Sequence, residues 1–170
     1  MRIVLAALLS ATALVAADAT RPMQRFLLPD VYGHDHDSNE YRGKVILLEF
    51  MQTGCQHCGA FTTILKQVET RYANRVNIVA VVNPPDLAAN VSAFISTYHV
   101  NYPILLDAGR VAYAYIRKPA FDLPYLFLID AAGQIRQQYE YGPATQKIFE
   151  REALFAVLDS LLGAPAAEKR

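Results

Sequence analysis

Residues 44–58 read KVILLEFMQTGCQHC, an apolar run followed at once by two cysteines three positions apart. Lys44 to Phe50 is β-branched and apolar over enough residues for a strand buried on both faces, the kind found centrally in a parallel sheet. From Gln56 to Tyr72 the large apolar residues Phe61, Ile64, Leu65, Val68 and Tyr72 recur at helical spacing and mark one face of a helix. Cys55 therefore falls at or just before the first helical residue. Unpaired N–H groups and the positive end of the helix dipole favour an anion there, so a thiolate at Cys55 has a lowered pKa. Cys58 lies one turn further along the same face, close enough to bridge to Cys55 with little backbone movement. That makes Cys55 the expected nucleophile and Cys58, more enclosed by the helix, the resolving thiol. His57, when protonated, adds to thiolate stabilisation, and a stable thiolate favours the reduced pair. The competing reading is a structural bridge, but one that encloses two residues constrains the unfolded chain weakly. Haem attachment needs His directly after the second cysteine, and Gly59 stands there.

Working outward, Val76 to Val82 (VNIVAVV) predicts a second buried strand, closed by Asn83-Pro84-Pro85. Leu87, Val91, Phe94, Ile95 and Tyr98 repeat the helical offsets. Pro103 to Asp107 predicts a short strand and Val111 to Ile116 a short helix, before a loop that ends in Pro124. Tyr125 to Asp130, Ala131-Ala132-Gly133 and Gln134 to Tyr141 read as strand, tight turn and strand, with the glycine supplying positive φ. Thr145 to Leu162 predicts a closing helix with Thr145 as its N-cap. Strands alternating with helices, then a hairpin and a last helix, imply an α/β sandwich with a mixed sheet.

The chain has 170 residues, enough for one domain of ordinary size. Lys plus Arg (16) balances Asp plus Glu (16), which argues against a nucleic-acid partner. The only two cysteines are Cys55 and Cys58, which excludes both a multi-bridge framework and a four-thiolate zinc site within one chain. Met1-Arg2, an apolar run to Val15 and the small residues of Ala13 to Ala19 predict a secretory signal over residues 1–19, cleaved after Ala17 or Ala19. An uncleaved signal would serve as a membrane anchor, although the run is short for a span. The domain is expected over 20–163, with a flexible tail over 164–170. Export places the cysteines where disulfides persist. His34-Asp35-His36-Asp37 carries metal-capable side chains but lacks a fixed third and fourth ligand, and reads as a solvated loop.

The ordered set FLLPDVYG, YRGKVILLEFMQTGCQHC, VAVVNPPD, YPILLD and LPYLFLIDAAGQI resembles the thioredoxin superfamily, specifically its TlpA/ResA-like branch near the AhpC/TSA redoxins, over roughly residues 26 to 162. The resemblance implies a thioredoxin-like three-layer α/β sandwich with a mixed central sheet, an N-terminal extension and a C-terminal β-hairpin plus helix. It also implies an exported thiol-disulfide oxidoreductase that needs no cofactor and no metal. Expected partners are exported protein thiols or disulfides and a membrane thiol-redox protein, with the chain itself a monomer. The function expected is that of a reductant in preference to an oxidant, with cytochrome c maturation as the role the branch suggests. Carried over by position, Cys55 is the attacking and Cys58 the resolving cysteine. Pro124 is the cis-proline facing the disulfide, and Leu123 before it offers backbone hydrogen bonds to an extended substrate. Glu49 stands where thioredoxins carry a buried acid that shuttles a proton for the resolving cysteine. The alternative for Glu49 is a head group that reaches solvent or a lysine such as Lys44 or Lys66.

The chain departs from the pattern at Gly54, where an aromatic residue usually precedes the first cysteine, and at His57, where a proline usually precedes the second. Gly54 opens the flank of the site, and His57 resembles the intervening His of isomerases and DsbA-like oxidases. The P-x-x-x-T-x-x-C motif of peroxidatic relatives is absent, since Leu48 and Gln52 hold those positions ahead of Cys55. A second function class is a Sco-like copper chaperone using Cys55 and Cys58 with a distant His. The loop from Arg117 to Leu123, where that His belongs, contains none.

Overall fold

The computed structural model describes residues 21–163; the signal expected over 1–19 and the tail expected over 164–170 lie outside the described residues. In chain order the elements are β1 (Arg21–Pro22), β2 (Leu27–Pro29), β3 (Asp35–Asp37), β4 (Val45–Met51), α1 (Gln56–Tyr72), β5 (Val76–Val82), α2 (Ala88–Tyr98), β6 (Ile104–Leu106), α3 (Arg110–Ile116), β7 (Tyr125–Ile129), β8 (Gln134–Glu140) and α4 (Arg151–Leu162). The main sheet has six strands in the order β1-β8-β7-β4-β5-β6, and β2 pairs with β3 apart from it. β4, β5 and β6 run parallel, while β7 is antiparallel to β4 and β8 to β7, so the sheet is mixed.

β4 is buried along its whole length because both of its faces are covered. Val45, Leu47 and Met51 pack with apolar residues of α1, α2 and α4, whereas Ile46, Leu48 and Phe50 pack with α3 and the segment holding Met23 and Phe26. Helices on both sides of a sheet make three layers, as the sequence implied. Full burial of each large apolar side chain contributes roughly 1.5–3 kcal/mol. The expected hairpin is present: Gly133 has φ +80° and its N–H donates to the Asp130 carbonyl at 2.8 Å.

Four local expectations are corrected. The closing helix is not continuous from Thr145. A short 3-10 turn (Gln146–Phe149) ends at Glu150, which is extended (φ −100°, ψ 148°), and α4 starts only at Arg151. The break turns Phe149 inward, where its ring meets Phe61 edge-on at 5.1 Å. Thr145 makes no side-chain cap; its hydroxyl donates to the carbonyl of Glu140. Leu87 precedes α2 as an exposed residue and does not join its apolar face, its N–H donating to Asn90 Oδ1 at 3.1 Å. The segment from His34 to Asp37 is not simply a loop either, because β3 pairs with β2, and Asp30 bridges to Leu105 on the sheet's edge strand β6. Covering that edge removes a template for unwanted pairing.

Candidate active site

Cys55 is the N-cap of α1, with extended backbone (φ −81°, ψ 114°). The Cys58 N–H donates to Cys55 Sγ at 3.1 Å, and no acidic residue lies in the first helical turn. An N–H aimed at the sulfur and an uncontested dipole end are what stabilise a thiolate once the pair is reduced. The two cysteines are joined as a disulfide, with Cα atoms 5.2 Å apart. Cys55 is half-buried and Cys58 has no exposed surface, so an incoming sulfur meets Cys55 first.

The sheet places Glu49 directly behind this turn. It lies between Leu47 and Met51 on the α1 face of β4, opposite Ala80 of β5 and Leu126 of β7. The residue is completely buried, neither carboxyl oxygen has a hydrogen-bond partner among the described residues, and burial pushes its pKa well above the usual carboxylate range. The lysines offered as alternative partners lie elsewhere. Lys66 Nζ donates to the Tyr98 carbonyl at 2.7 Å, and Lys44 acts electrostatically on Glu69. Two buried hydroxyls share the layer. Thr62 Oγ1 donates to the Cys58 carbonyl at 3.0 Å, and the Tyr102 phenol is pushed upward first by burial and then by Glu49.

The Leu123–Pro124 peptide is cis, and the Leu123 carbonyl oxygen lies 3.7 Å from Cys55 Sγ. The Pro124 carbonyl accepts the Tyr141 N–H at 3.1 Å, which ties this loop to the end of β8. His57 is exposed and stacks on Tyr141 with ring centroids 4.2 Å apart. At Gly54 no heavy atom lies within 4 Å of where a Cβ would stand, so the flank before Cys55 is open. The structure thus brings Cys55, Cys58, Glu49, His57, Gly54, Leu123 and Pro124 to one end of the sheet. Sequence reasoning missed Tyr141, Tyr102 and Asp86, whose contacts with the site come from strand order and loop folding and leave no local signal.

The histidine-rich hairpin stands apart: Asp30 Oδ2 lies 3.3 Å from His34 Nδ1 and 3.2 Å from His36 Nε2. Among the described residues, no three His, Cys, Asp or Glu side chains are arranged to hold a metal ion.

The sequence pattern of the AhpC/TSA family matches residues 19–138, most of the chain. The chain belongs to the AhpC/TSA family. Within it, the chain is 31% identical over 138 residues to the thiol-disulfide oxidoreductase ResA of Geobacillus kaustophilus, covering 81% of this chain and 76% of that protein. It is 27% identical to the thioredoxin-like protein YneN of Bacillus subtilis, covering 75% of this chain and 74% of that one. Among solved structures, a thiol:disulfide interchange protein of the thioredoxin family from Chlorobium tepidum superposes with a TM-score of 0.67 at 25% identity, covering 81% of this chain and 97% of that chain. A secreted disulfide oxidoreductase of Mycobacterium tuberculosis gives a TM-score of 0.68 at 23% identity, covering 80% of this chain and 96% of that chain. The fold of this AhpC/TSA member is thioredoxin-like, and with its Cys55–Cys58 pair the chain is an enzyme of the thiol-disulfide oxidoreductase type.

Proposed function

We propose that the chain is an exported reductant of protein disulfides, acting as a monomer through a mixed disulfide at Cys55 and recharged by a membrane thiol-redox partner. The observation that carries the reading is the asymmetry of the pair. One sulfur is reachable and held by a helix N–H, whereas its partner is sealed beneath it. In the forward direction the Cys55 thiolate attacks a client disulfide, forming the mixed disulfide and releasing one client thiolate. Cys58 then gives up its proton, attacks Cys55 Sγ and releases the second client thiolate. Two electrons pass to the client, and the Cys55–Cys58 disulfide is restored.

Glu49 is the proposed acceptor of the Cys58 proton. An ionised carboxyl in a dry layer is a stronger base than one in water, closer in pKa to the thiol it serves. Leu123 and Pro124 form the edge on which an extended client segment lies, its backbone adding to the Leu123 peptide. His57, stacked on Tyr141, stabilises the thiolate when protonated and sets how far the potential rises above that of a proline-containing reductase. Secretion of a structural relative and the signal expected over 1–19 support export. Cytochrome c maturation is the role proposed from the TlpA/ResA resemblance.

The test is the equilibrium reduction potential in graded thiol-disulfide buffers, with Cys55→Ser as control. A value near the thioredoxin end, about −270 mV, is expected; one near −120 mV, the DsbA end, would make the protein an oxidant. Cys58→Ser should accumulate the mixed disulfide with a client, whereas Cys55→Ser should not.

A further inference from the structure

Three residues, Gln52, Thr53 and Gly54, join the end of β4 to Cys55, and packing does little to hold them, since Gly54 is exposed with open space around it. Hydrogen bonds from a different part of the chain hold them instead. The turn after β5 approaches this loop: Asn83 N–H donates to the Met51 carbonyl at 3.3 Å, and Gln52 Nε2 donates to the Pro84 carbonyl at 2.8 Å. Asp86 closes the contact with both carboxylate oxygens. Oδ2 accepts the Thr53 N–H at 2.5 Å and Oδ1 accepts the Thr53 hydroxyl at 2.6 Å. Thr53 lies inside the turn closed by the Cys55 N–H, which donates to the Gln52 carbonyl at 3.1 Å. Fixing Thr53 therefore fixes the backbone of Cys55.

We infer that Asp86, acting through Thr53, is a positioning residue that holds Cys55 in its N-cap conformation and so sets the reactivity of the attacking thiol. Resting on the thiol-disulfide reading above, the inference adds a residue outside both the CxxC turn and the cis-proline loop. The physical reason is distance. The stabilisation of a thiolate by the Cys58 N–H and the dipole end falls off within the first helical turn. A loop free to shift before Cys55 loses part of it, and the Cys55 thiol pKa rises. The carboxylate's own charge acts in the opposite sense, because a nearby anion disfavours a thiolate. Positioning and charge thus predict opposite changes when Asp86 is removed.

The experiment is the rate of alkylation of Cys55 in the reduced protein from pH 5 to 9, for wild type, Asp86→Ala, Asp86→Asn, Thr53→Val, Thr53→Ser and the Asp86→Ala/Thr53→Val pair. Cys58 and His57 on α1, Glu49 on β4, Tyr98 on α2 and Tyr141 after β8, the titratable side chains around the site, are unchanged throughout. Asp86→Ala should raise the apparent thiol pKa by about one unit. Below that pKa the thiolate fraction falls tenfold while intrinsic nucleophilicity rises about threefold, for a net loss of about threefold. Thr53→Val should lose part of this and Thr53→Ser should recover it. The double variant should lose no more than Asp86→Ala alone, the non-additivity expected of partners in one contact. Asp86→Asn keeps one acceptor oxygen and should lie between wild type and Asp86→Ala. Faster alkylation in both Asp86 variants would assign the effect to charge and overturn the inference. So would an unchanged pH profile alongside a lowered Tm, which would leave Asp86 a purely structural residue. Should Asp86→Ala fail to fold, the Thr53 variants decide the matter alone. A wild-type protein that exchanges with no dithiol would instead overturn the redox reading itself.

Discussion

On one face of β4, Phe50 meets Tyr115 at 5.6 Å and Phe127 at 5.9 Å between ring centroids, in a layer shared with Ile46 and Leu48. On the other face, Leu47 and Met51 flank Glu49 beneath Cys58 and Thr62. Both layers are buried, yet they treat polar atoms differently. The Tyr115 hydroxyl donates to the Gln24 carbonyl at 2.6 Å, and the Arg21 guanidinium beside it donates through Nη2 to the Tyr115 carbonyl at 2.5 Å, although its Nη1 has no partner among the described residues. Across the sheet, neither oxygen of the Glu49 carboxyl has a partner among the described residues, and the Tyr102 hydroxyl lies beside Thr62 without a well-formed hydrogen bond. Buried polar groups are ordinarily satisfied, and leaving one unpaired costs about 1–3 kcal/mol, more for a charge. The aromatic face thus leaves one nitrogen of a bonded guanidinium unpaired, whereas the face beneath the cysteines buries both oxygens of a carboxyl without a partner among the described residues, at a cost in stability.

The sharpest break of that contrast is Phe127→Ala, which should destabilise the protein by about 3–5 kcal/mol in chemical denaturation. The folded fraction should keep wild-type Cys55 reactivity, because no ring of that face touches the sulfurs; a changed thiol pKa would show the two faces to be coupled. Glu49→Gln comes next. The folded pKa of Glu49 lies above its unfolded value, so native protein retains a proton that unfolded protein loses, and stability falls as pH rises from about 4.5 toward the folded pKa. The slope is at most about 1.4 kcal/mol per pH unit. Glu49→Gln should remove that slope from stability measured between pH 4 and 9, leaving the variant the more stable protein at the alkaline end. The same variant should slow release of a trapped mixed disulfide, the step that uses Cys58. A wild-type slope that survives the substitution would place the titrating group elsewhere.

The smallest effects come from the paired hydroxyl deletions. Tyr115→Phe leaves the Gln24 carbonyl without its donor and should cost about 1–2 kcal/mol, measured by urea midpoint. Tyr102→Phe removes a hydroxyl that makes no well-formed hydrogen bond to its neighbour Thr62 and should be neutral within about 0.5 kcal/mol or slightly stabilising. Equal losses in the two would mean that Tyr102 is satisfied after all and that the polar asymmetry between the faces is smaller than the geometry indicates.

Much of the site was legible because its determinants are local. A β-branched run, a helical apolar stripe and two cysteines at the junction lie within a single continuous segment, and the observed α1 spans the residues its periodicity predicts. The sequence left Glu49 open between a buried acid and a head group reaching solvent or a lysine, and only the sheet shows it fully buried with Lys66 bonded instead to the Tyr98 carbonyl. The closing helix was misread because its 3-10 start is pulled from α geometry by the Phe149 side chain, wedged between Phe61 and Tyr141. Periodicity registers that an inward aromatic exists but not which neighbour it must meet. The β2–β3 hairpin escaped notice for the same reason: three-residue strands rich in Asp, His and Pro carry no alternation, and their place is set by docking on β6.

By itself, then, the sequence determined the alternation of strands and helices, the burial of β4 on both faces and the position of Cys55 at a helix start, since each depends on side-chain pattern within a turn or two of chain. Only the tertiary structure decided what surrounds those sulfurs. The Leu123 carbonyl, the Tyr141 ring on His57 and the Asp86 carboxylate on Thr53 arrive from β7, β8 and the turn after β5 because strand order places those segments around the end of β4. Contacts between distant segments are fixed by sheet register and close packing, which no local pattern of residues encodes.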